Sequence, residues 1–265
     1  MDALWHEGCR ELLITGRGQF QARLTQIGLH EQRLLASEEQ LSRIAFFAMP
    51  PDTVLISFML SGGAEPVWGG VSIPHAEIVA LGPGESAHMR SDGPCDWGAV
   101  LLPSEAVTRY ASVLTGAGSR LPLYERRWRP RPSAHKHLRH LHAAAIRMAR
   151  IRPQAVIDTE AAHGLEQQLI HAVIDCLAAG PMGGARPSTR RHQETMVRFE
   201  QLLQSRPNRR LVVAEFSAAL GISERLLRRL CAEHLGMSPT SYDRRRRMSL
   251  VRSTLRSERF RSVCG

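Results

Sequence analysis

The stretch from Leu211 to Leu255 constrains this chain more tightly than any other. It reads LVVAEFSAALGISERLLRRLCAEHLGMSPTSYDRRRRMSLVRSTL. Val212–Leu220 is a short apolar helix that stops at Gly221, a residue free to take the left-handed conformation of a helix end. Ile222 is expected to be buried in the turn. Ser223 can cap the next helix, and Glu224 lies favourably at the positive end of its dipole. That helix runs to about Leu235 and stops at Gly236. Ser238 caps a third, with Pro239 at its first position, where a missing N–H costs nothing. Two helices joined by a short glycine-containing turn make a helix-turn-helix.

At about 100° per residue, Arg225, Arg228 and Arg229 fall on one face of the second helix. Leu226, Leu227, Leu230 and Cys231 fall on the opposite one. Arginine can hydrogen-bond guanine O6 and N7 through two N–H groups, or neutralise phosphates. An isolated basic helix is usually just a solvated face. Behind a tight capped turn, the pattern points to DNA recognition. The candidate DNA-binding residues are Ser223, Arg225, Arg228 and Arg229, with Arg244, Arg245 and Arg247 on the third helix. Four consecutive arginines, Arg244–Arg247, occupy every side of a helix and cannot all reach one groove, so phosphate and solvent are their expected destinations. Met248, Val251 and Leu255 are expected to form the stripe that packs back on the domain.

The run from Val213 to Arg252 resembles the AraC/XylS family of bacterial transcription regulators. The resemblance lies in VAEFSAALGIS, in SERLLRRLCAEHLGMSP, and in Tyr242 and Arg247. It implies that the helix matching Ser223–His234 enters the major groove, with the positions of Arg225, Arg228 and Arg229 facing the DNA. It further implies a cupin-like barrel that binds a small effector, helices that pair two copies, and RNA polymerase as a partner. The sequence departs from the family at Cys231, where a large aromatic is usual, and at Asp243, where an apolar residue is usual. A second helix-turn-helix should also follow Leu255, but the sequence given continues only to SERFRSVCG. The resemblance therefore covers the first half of the DNA-binding domain.

Charge supports the same division. Of 265 residues, 35 are Lys or Arg and 25 Asp or Glu, a net charge of +10. Residues 181–265 hold 18 arginines against 7 acidic residues, whereas residues 1–180 hold 17 basic against 18 acidic. A basic module attached to a near-neutral one suggests nucleic-acid binding. The five cysteines are scattered and never in a C-x-x-C pair. That argues against a disulfide framework or zinc site and fits a cytoplasmic protein. The start MDALWHEGCRELL is not that of a signal peptide, and no run is apolar for long enough to span a membrane.

The fold class expected is α+β: an antiparallel β domain, a helical middle and an all-α C-terminal domain. Apolar runs at Phe20–Ile27, Ile44–Phe47, Val54–Leu60, Val71–Ile73, Ile78–Leu81 and Trp97–Leu102 alternate with Gly- and Pro-rich turns, the pattern of a sandwich or barrel. Ser104–Leu114, Ser133–Ile151 and Thr159–Leu177 read as helices. Leu165, Leu169, Val173 and Cys176 or Leu177 recur at helical spacing, suiting either an internal core or a partner helix. The expected units are a β-rich sensing domain over 1–131, a helical segment over 132–178, a linker over 179–192 and the DNA-binding domain over 193–265. The linker reading rests on AGPMGGARPSTRRHQ, after which a helix is expected over Gln193–Gln204.

Trp68, His75, His88, Arg90 and Trp97 are the candidate effector-binding residues, because effector sites mix aromatic walls with a few polar groups. His88 follows a Pro-Gly-Glu turn but lacks an H-x-H partner, so it reads as barrel-lining or surface rather than as a ligand. His135, His137, His140 and His142 share no face with a carboxylate or cysteine and read as a solvated helix face. No metal or other cofactor is implied. No G-x-S-x-G, H-E-x-x-H or P-loop is present, and Gly16-Arg17-Gly18 lacks the third glycine of a dinucleotide motif. The leading expectation is a non-enzymatic, effector-responsive, DNA-binding regulator that pairs through 132–178. Its rival is a relative that has lost DNA binding and acts as a small-molecule-binding β-barrel protein or enzyme.

Overall fold

The computed structural model describes residues 8–115, 127–151, 159–178, 187–207 and 209–263. Two antiparallel sheets stack face to face. The first holds β1 (Cys9–Ile14), β4 (Arg43–Ala48), β9 (Ser86–Ser91), β6 (Val67–Trp68) and β7 (Val71–Ser72), in that spatial order. The second holds β11 (Arg127–Trp128), β8 (Ile78–Leu81), β5 (Thr53–Met59), β10 (Cys95–Pro103), β3 (Arg33–Glu39) and β2 (Ala22–Gly28). Helices α1 (Ser104–Thr115), α2 (Pro132–Ile151) and α3 (Thr159–Ala178) follow. After them come α4 (Pro187–Ser205), α5 (Val213–Leu220), α6 (Glu224–Leu235) and α7 (Pro239–Val263).

Strand alternation sorts the apolar side chains into layers. In β5, Leu55 and Met59 enter the core between the sheets, while Val54, Ile56 and Phe58 face the other way, into a core shared with α1, α2 and α3. Trp97, Ala99 and Leu101 of β10 point inward, and Val100 and Leu102 point to the helices. The central strands of this second sheet are thus buried on both faces, and the polar residues of β5 are only Thr53 and Ser57. On the first sheet, Ala45 and Phe47 face inward. Leu13 and Ile44 face outward and join a third core with α4, α5, α6 and α7.

The space between the sheets is filled by an ion pair as well as by apolar groups. Arg43 Nε donates to Glu39 Oε2 at 2.5 Å. Glu39 Oε1 accepts from Trp97 Nε1 at 2.9 Å and Ser37 Oγ at 2.8 Å, and Arg43 also reaches the Met89 carbonyl. Burial works to raise the Glu39 carboxyl, but the Arg43 guanidinium and these donors outweigh it and hold it below the usual range. Every charge here has partners, the condition under which a buried pair is tolerated.

Several expectations require correction. Strands β1, β3, β6, β9 and β11 were not among the expected runs: Arg10 and Glu11, Glu38 and Glu39, and His88 and Arg90 break the apolar patterns of β1, β3 and β9, and β6 and β11 are two residues long. Within the segment expected to be helical over 132–178, α2 and α3 share a core with the second sheet. Leu169, Val173, Cys176 and Leu177 are buried in that core, so their stripe serves this chain rather than a partner. The linker expected over 179–192 overlaps α4, which begins at Pro187, a residue suited to a helix's first position; residues 179–186 lie outside the described residues. His135 and His142 are buried, not solvated, because they sit on the side of α2 that packs on the second sheet. His142 Nε2 is 2.8 Å from the Leu35 carbonyl, and a Cβ at Gly98 would lie 2.9 Å from the His142 ring. No helix among the described residues is long and apolar enough to cross a membrane.

Candidate nucleic-acid interface

The C-terminal helices are built by local capping. Gly221 takes φ 68°, and its N–H donates to the Ala218 carbonyl, while Ile222 N–H donates to that of Ser217. These bonds close α5 and turn the chain. Ser223 is extended, and its Oγ accepts from Leu226 N–H at 3.2 Å, opening α6. Gly236, again at φ 68°, ends α6. Ser238 Oγ accepts from Ser241 N–H and opens α7 at Pro239. Ile222 is half-buried rather than buried, because only part of its side chain reaches the core.

The two faces of α6 differ sharply. Leu227, Leu230, Cys231 and Leu235 are buried against Phe199, Phe216 and Tyr242. Arg225, Arg228 and Arg229 lie on the exposed side. Arg228 pairs with Glu224 at 2.6 Å and Arg229 with Glu233 at 3.7 Å, both one turn apart and open to solvent. Such pairs are weak, on the order of 0.3–0.5 kcal/mol, and exchange readily for a phosphate or base edge. The Ser223 hydroxyl is exposed but already committed to its cap.

On α7, Arg244 and Arg245 are exposed, and Arg245 also reaches the Thr15 carbonyl at 3.3 Å. Arg247 pairs with Asp243 at 3.1 Å. Asp243 itself is buried and accepts from Leu211 N–H at 3.3 Å, so an acid here ties the start of α5 to α7. Arg246 departs from expectation. It is buried, donating to Glu11 Oε2 at 2.7 Å and to the Leu203 carbonyl, with Glu200 Oε1 at 3.6 Å. The expected stripe of Met248 and Val251 is a second correction. Both are about half exposed, because α7 packs through Tyr242, Asp243 and Arg246 and then leaves the domain surface. The side chain of Leu255 lies outside the described residues.

The five candidate effector residues do not surround one void. Trp68 and Trp97 are packed in the core between the sheets. His75 sits at the rim, 3.7 Å from Glu65, and Arg90 pairs with Asp92 at 2.6 Å. His88 neither lines the barrel nor reaches the surface. Its neighbours Ala87 and Met89 take the inward positions of β9, so His88 points outward to α4. There its Nε2 lies 3.1 Å from Glu200 Oε2, which also accepts from Tyr242 OH at 3.0 Å.

His88, Glu200, Tyr242, Arg246 and Glu11 form a polar cluster between the first sheet and the C-terminal helices. Burial pushes the Glu200 carboxyl up, but the hydrogen bond and charge of His88, with Arg246, outweigh it and hold it low. Glu11 is raised, by burial first and by the Glu200 charge second. Two glycines let the layers approach. A Cβ at Gly70 would lie 2.7 Å from the His234 ring, and one at Gly236 would lie 2.5 Å from Arg90 Nη1. Sequence reasoning missed this cluster. The one available signal was the alternation in Ala87-His88-Met89-Arg90, which sets His88 on the face of its strand opposite the apolar Ala87 and Met89.

Among the described residues, no group of three or more His, Cys, Asp or Glu is arranged to hold a metal ion. No family model matches the chain, and no curated protein matches it in sequence. Solved structures do match. The chain is similar to the AraC-like transcriptional activator CuxR at 16% identity, covering 91% of this chain and 85% of that one, with a TM-score of 0.47. It is similar to wild-type ToxT from Vibrio cholerae strain SCE256 at 10% identity, covering 91% and 83%, with a TM-score of 0.30. The cupin domain of Schizosaccharomyces pombe Cnp3 matches at 8% identity, covering 40% and 77%, with a TM-score of 0.26. AraC-like regulators are thus among the structures that this chain resembles.

Proposed function

We propose that this chain is a sequence-specific DNA-binding transcription regulator of the AraC/XylS type, acting in the bacterial cytoplasm and answering to a small-molecule effector through its N-terminal domain. One observation carries the reading. The α5–turn–α6 unit is capped at Gly221 and Ser223, buries one face of α6, and leaves Arg225, Arg228 and Arg229 exposed on the other. As a helix-turn-helix, it would place α6 in a major groove, with Arg244, Arg245 and Arg247 available to flanking phosphates. RNA polymerase is the expected downstream partner. A single reading helix binds one half-site, so operator recognition calls for two copies. Because the α3 stripe is spent on the internal core, the pairing surface has to lie elsewhere, and the exposed Met148 and Ile151 at the end of α2 are the first residues to examine.

The test is fluorescence anisotropy of the full chain with duplex DNA from upstream of its own gene, against a scrambled duplex, across a series of salt concentrations. Preferential binding that survives near-physiological salt supports the reading. Equal and steeply salt-dependent binding to both duplexes means that only phosphate attraction operates, and rejects sequence-specific regulation.

A further inference from the structure

A different feature concerns small-molecule binding and stands independently of the DNA-binding reading. Residues 101–150 carry ten Lys or Arg against two acidic residues, although residues 1–180 as a whole are near neutral. The charge is gathered on α2 and just before it. A cleft of about 960 Å³ runs between α2 and the second sheet, lined by five Lys or Arg side chains and one acid, Glu38. That volume is at the upper end for a small-molecule site. Its walls include Ala36, Leu60 and Ile146, an apolar surface beneath the charges.

The cations divide into two sets. Arg129 is held by Glu77 at 2.8 Å, Arg139 by the Leu60 carbonyl, and Arg150 by Glu38 at 2.7 Å. Lys136 and Arg147 are exposed and have no hydrogen-bond or ion-pair partner among the described residues. Eleven residues apart, they project from the same side of α2 with a separation of about 16 Å along its axis. Beside Lys136, His135 is buried, and its Nε2 has no partner within hydrogen-bonding distance among the described residues. A buried polar atom left so is costly, and an oxygen entering the cleft would satisfy it.

We propose that this cleft binds an elongated organic dianion. One anionic group meets Lys136 and His135 Nε2, the other meets Arg147, and the apolar body lies on Ala36, Leu60 and Ile146. Arg129, Arg139 and Arg150 are tethered at the walls and supply a fixed positive field rather than the primary contacts. The concave shape and apolar floor favour a small molecule over a nucleic-acid backbone, which would bind a convex or open basic surface.

The experiment uses bis-ANS, a fluorophore with an apolar body and two sulfonates, titrated onto the full chain. Saturation at one equivalent, weakened by salt, is expected. The double variant Lys136→Glu/Arg147→Glu should lose affinity roughly tenfold or more, because attraction at both ends becomes repulsion. Both side chains are exposed, so its thermal unfolding should match wild type. Arg10→Glu/Arg17→Glu makes the same charge change on β1 and the loop that follows it, and should bind as wild type. Equal loss in both variants, or no loss in the first, overturns the site. Competition then identifies the body: displacement by hexadecanedioate indicates an aliphatic body, and by stilbene-4,4′-dicarboxylate an aromatic one. Displacement by neither overturns the ligand class, as does displacement by random duplex DNA alone. None of these readings depends on operator binding, so failure here and failure of the regulator reading are separable.

Discussion

Replacing His88 by alanine should undock the C-terminal helices from the barrel. In the structure His88 is buried and meets the carboxylate of Glu200 at 3.1 Å, with Phe46 and Tyr242 rings at 4.8 and 6.3 Å. Removing the partner of a buried carboxylate, here Glu200, costs about 3–5 kcal/mol. Glu200 keeps Tyr242 OH and the nearby Arg246, which places this loss at the lower end. Lost ring contacts add about 1 kcal/mol. The expected destabilisation is therefore about 3–4 kcal/mol in urea denaturation followed by circular dichroism. Hydrogen exchange locates the effect: amides of α4 and the start of α7 should lose protection before those of β5 and β10. His88→Gln, which retains a donor, should recover part of the loss. A change below about 1 kcal/mol, with α4 protection intact, would refute the view that this contact holds the two layers together.

Three further outcomes follow from the geometry. Arg228→Ala and Arg229→Ala should each weaken binding to a specific operator by about 1–3 kcal/mol while leaving stability nearly unchanged, as anisotropy and thermal unfolding would reveal. Gly236→Ala should lower the unfolding midpoint, since it forces alanine to φ 68° and against Arg90, and a midpoint equal to wild type would mean that the approach is loose. Acid should destabilise the fold through His142, whose pKa burial lowers to about 4 from 6.5. The folded state then binds fewer protons than the unfolded chain between these values, so stability is full above about 6.5 and falls as pH drops through 4. A shift of that size is worth about 3 kcal/mol. His142→Gln should flatten the acid limb of a stability–pH curve, and an unchanged limb would assign the effect to other groups.

The C-terminal helices were legible in the sequence because their determinants are local. Gly221, Ser223, Gly236 and Ser238 each act within three or four residues of their own position, and the two faces of α6 follow from helical period alone. The doubly buried sheet was partly legible, since Val54–Leu60 and Trp97–Leu102 are uninterrupted apolar runs. What failed was decided at long range. Strand β3 ends in Ser-Glu-Glu, and nothing nearby announces that Glu39 turns inward to meet Arg43 and Trp97. His88 took its role from Glu200, far along the chain, and His142 from the Leu35 carbonyl. Arginine 246 looked like one of four solvated charges until Glu11, at the other end of the sequence, was brought beside it. Met248 and Val251 fit a helical stripe, but a stripe is buried only where another element lies alongside. The candidate effector residues share chemical type, but the fold distributes them over two sheets, with His88 facing away from Trp68 and Trp97.

The close fit at Gly70 and Gly236 has a consequence for how two copies would read DNA. Helix α6 is not a bead on a string: its last turn is keyed into the barrel, so its azimuth is set by the barrel's own orientation. If two barrels associate, the phase between their reading heads is fixed with them. Half-sites would then have to recur at a set multiple of the DNA repeat, about 10–10.5 base pairs. Inserting residues between positions 179 and 186 should leave that spacing unchanged, whereas a change of operator spacing by half a repeat should abolish joint occupancy. The span of a proposed operator is in this sense written in the barrel.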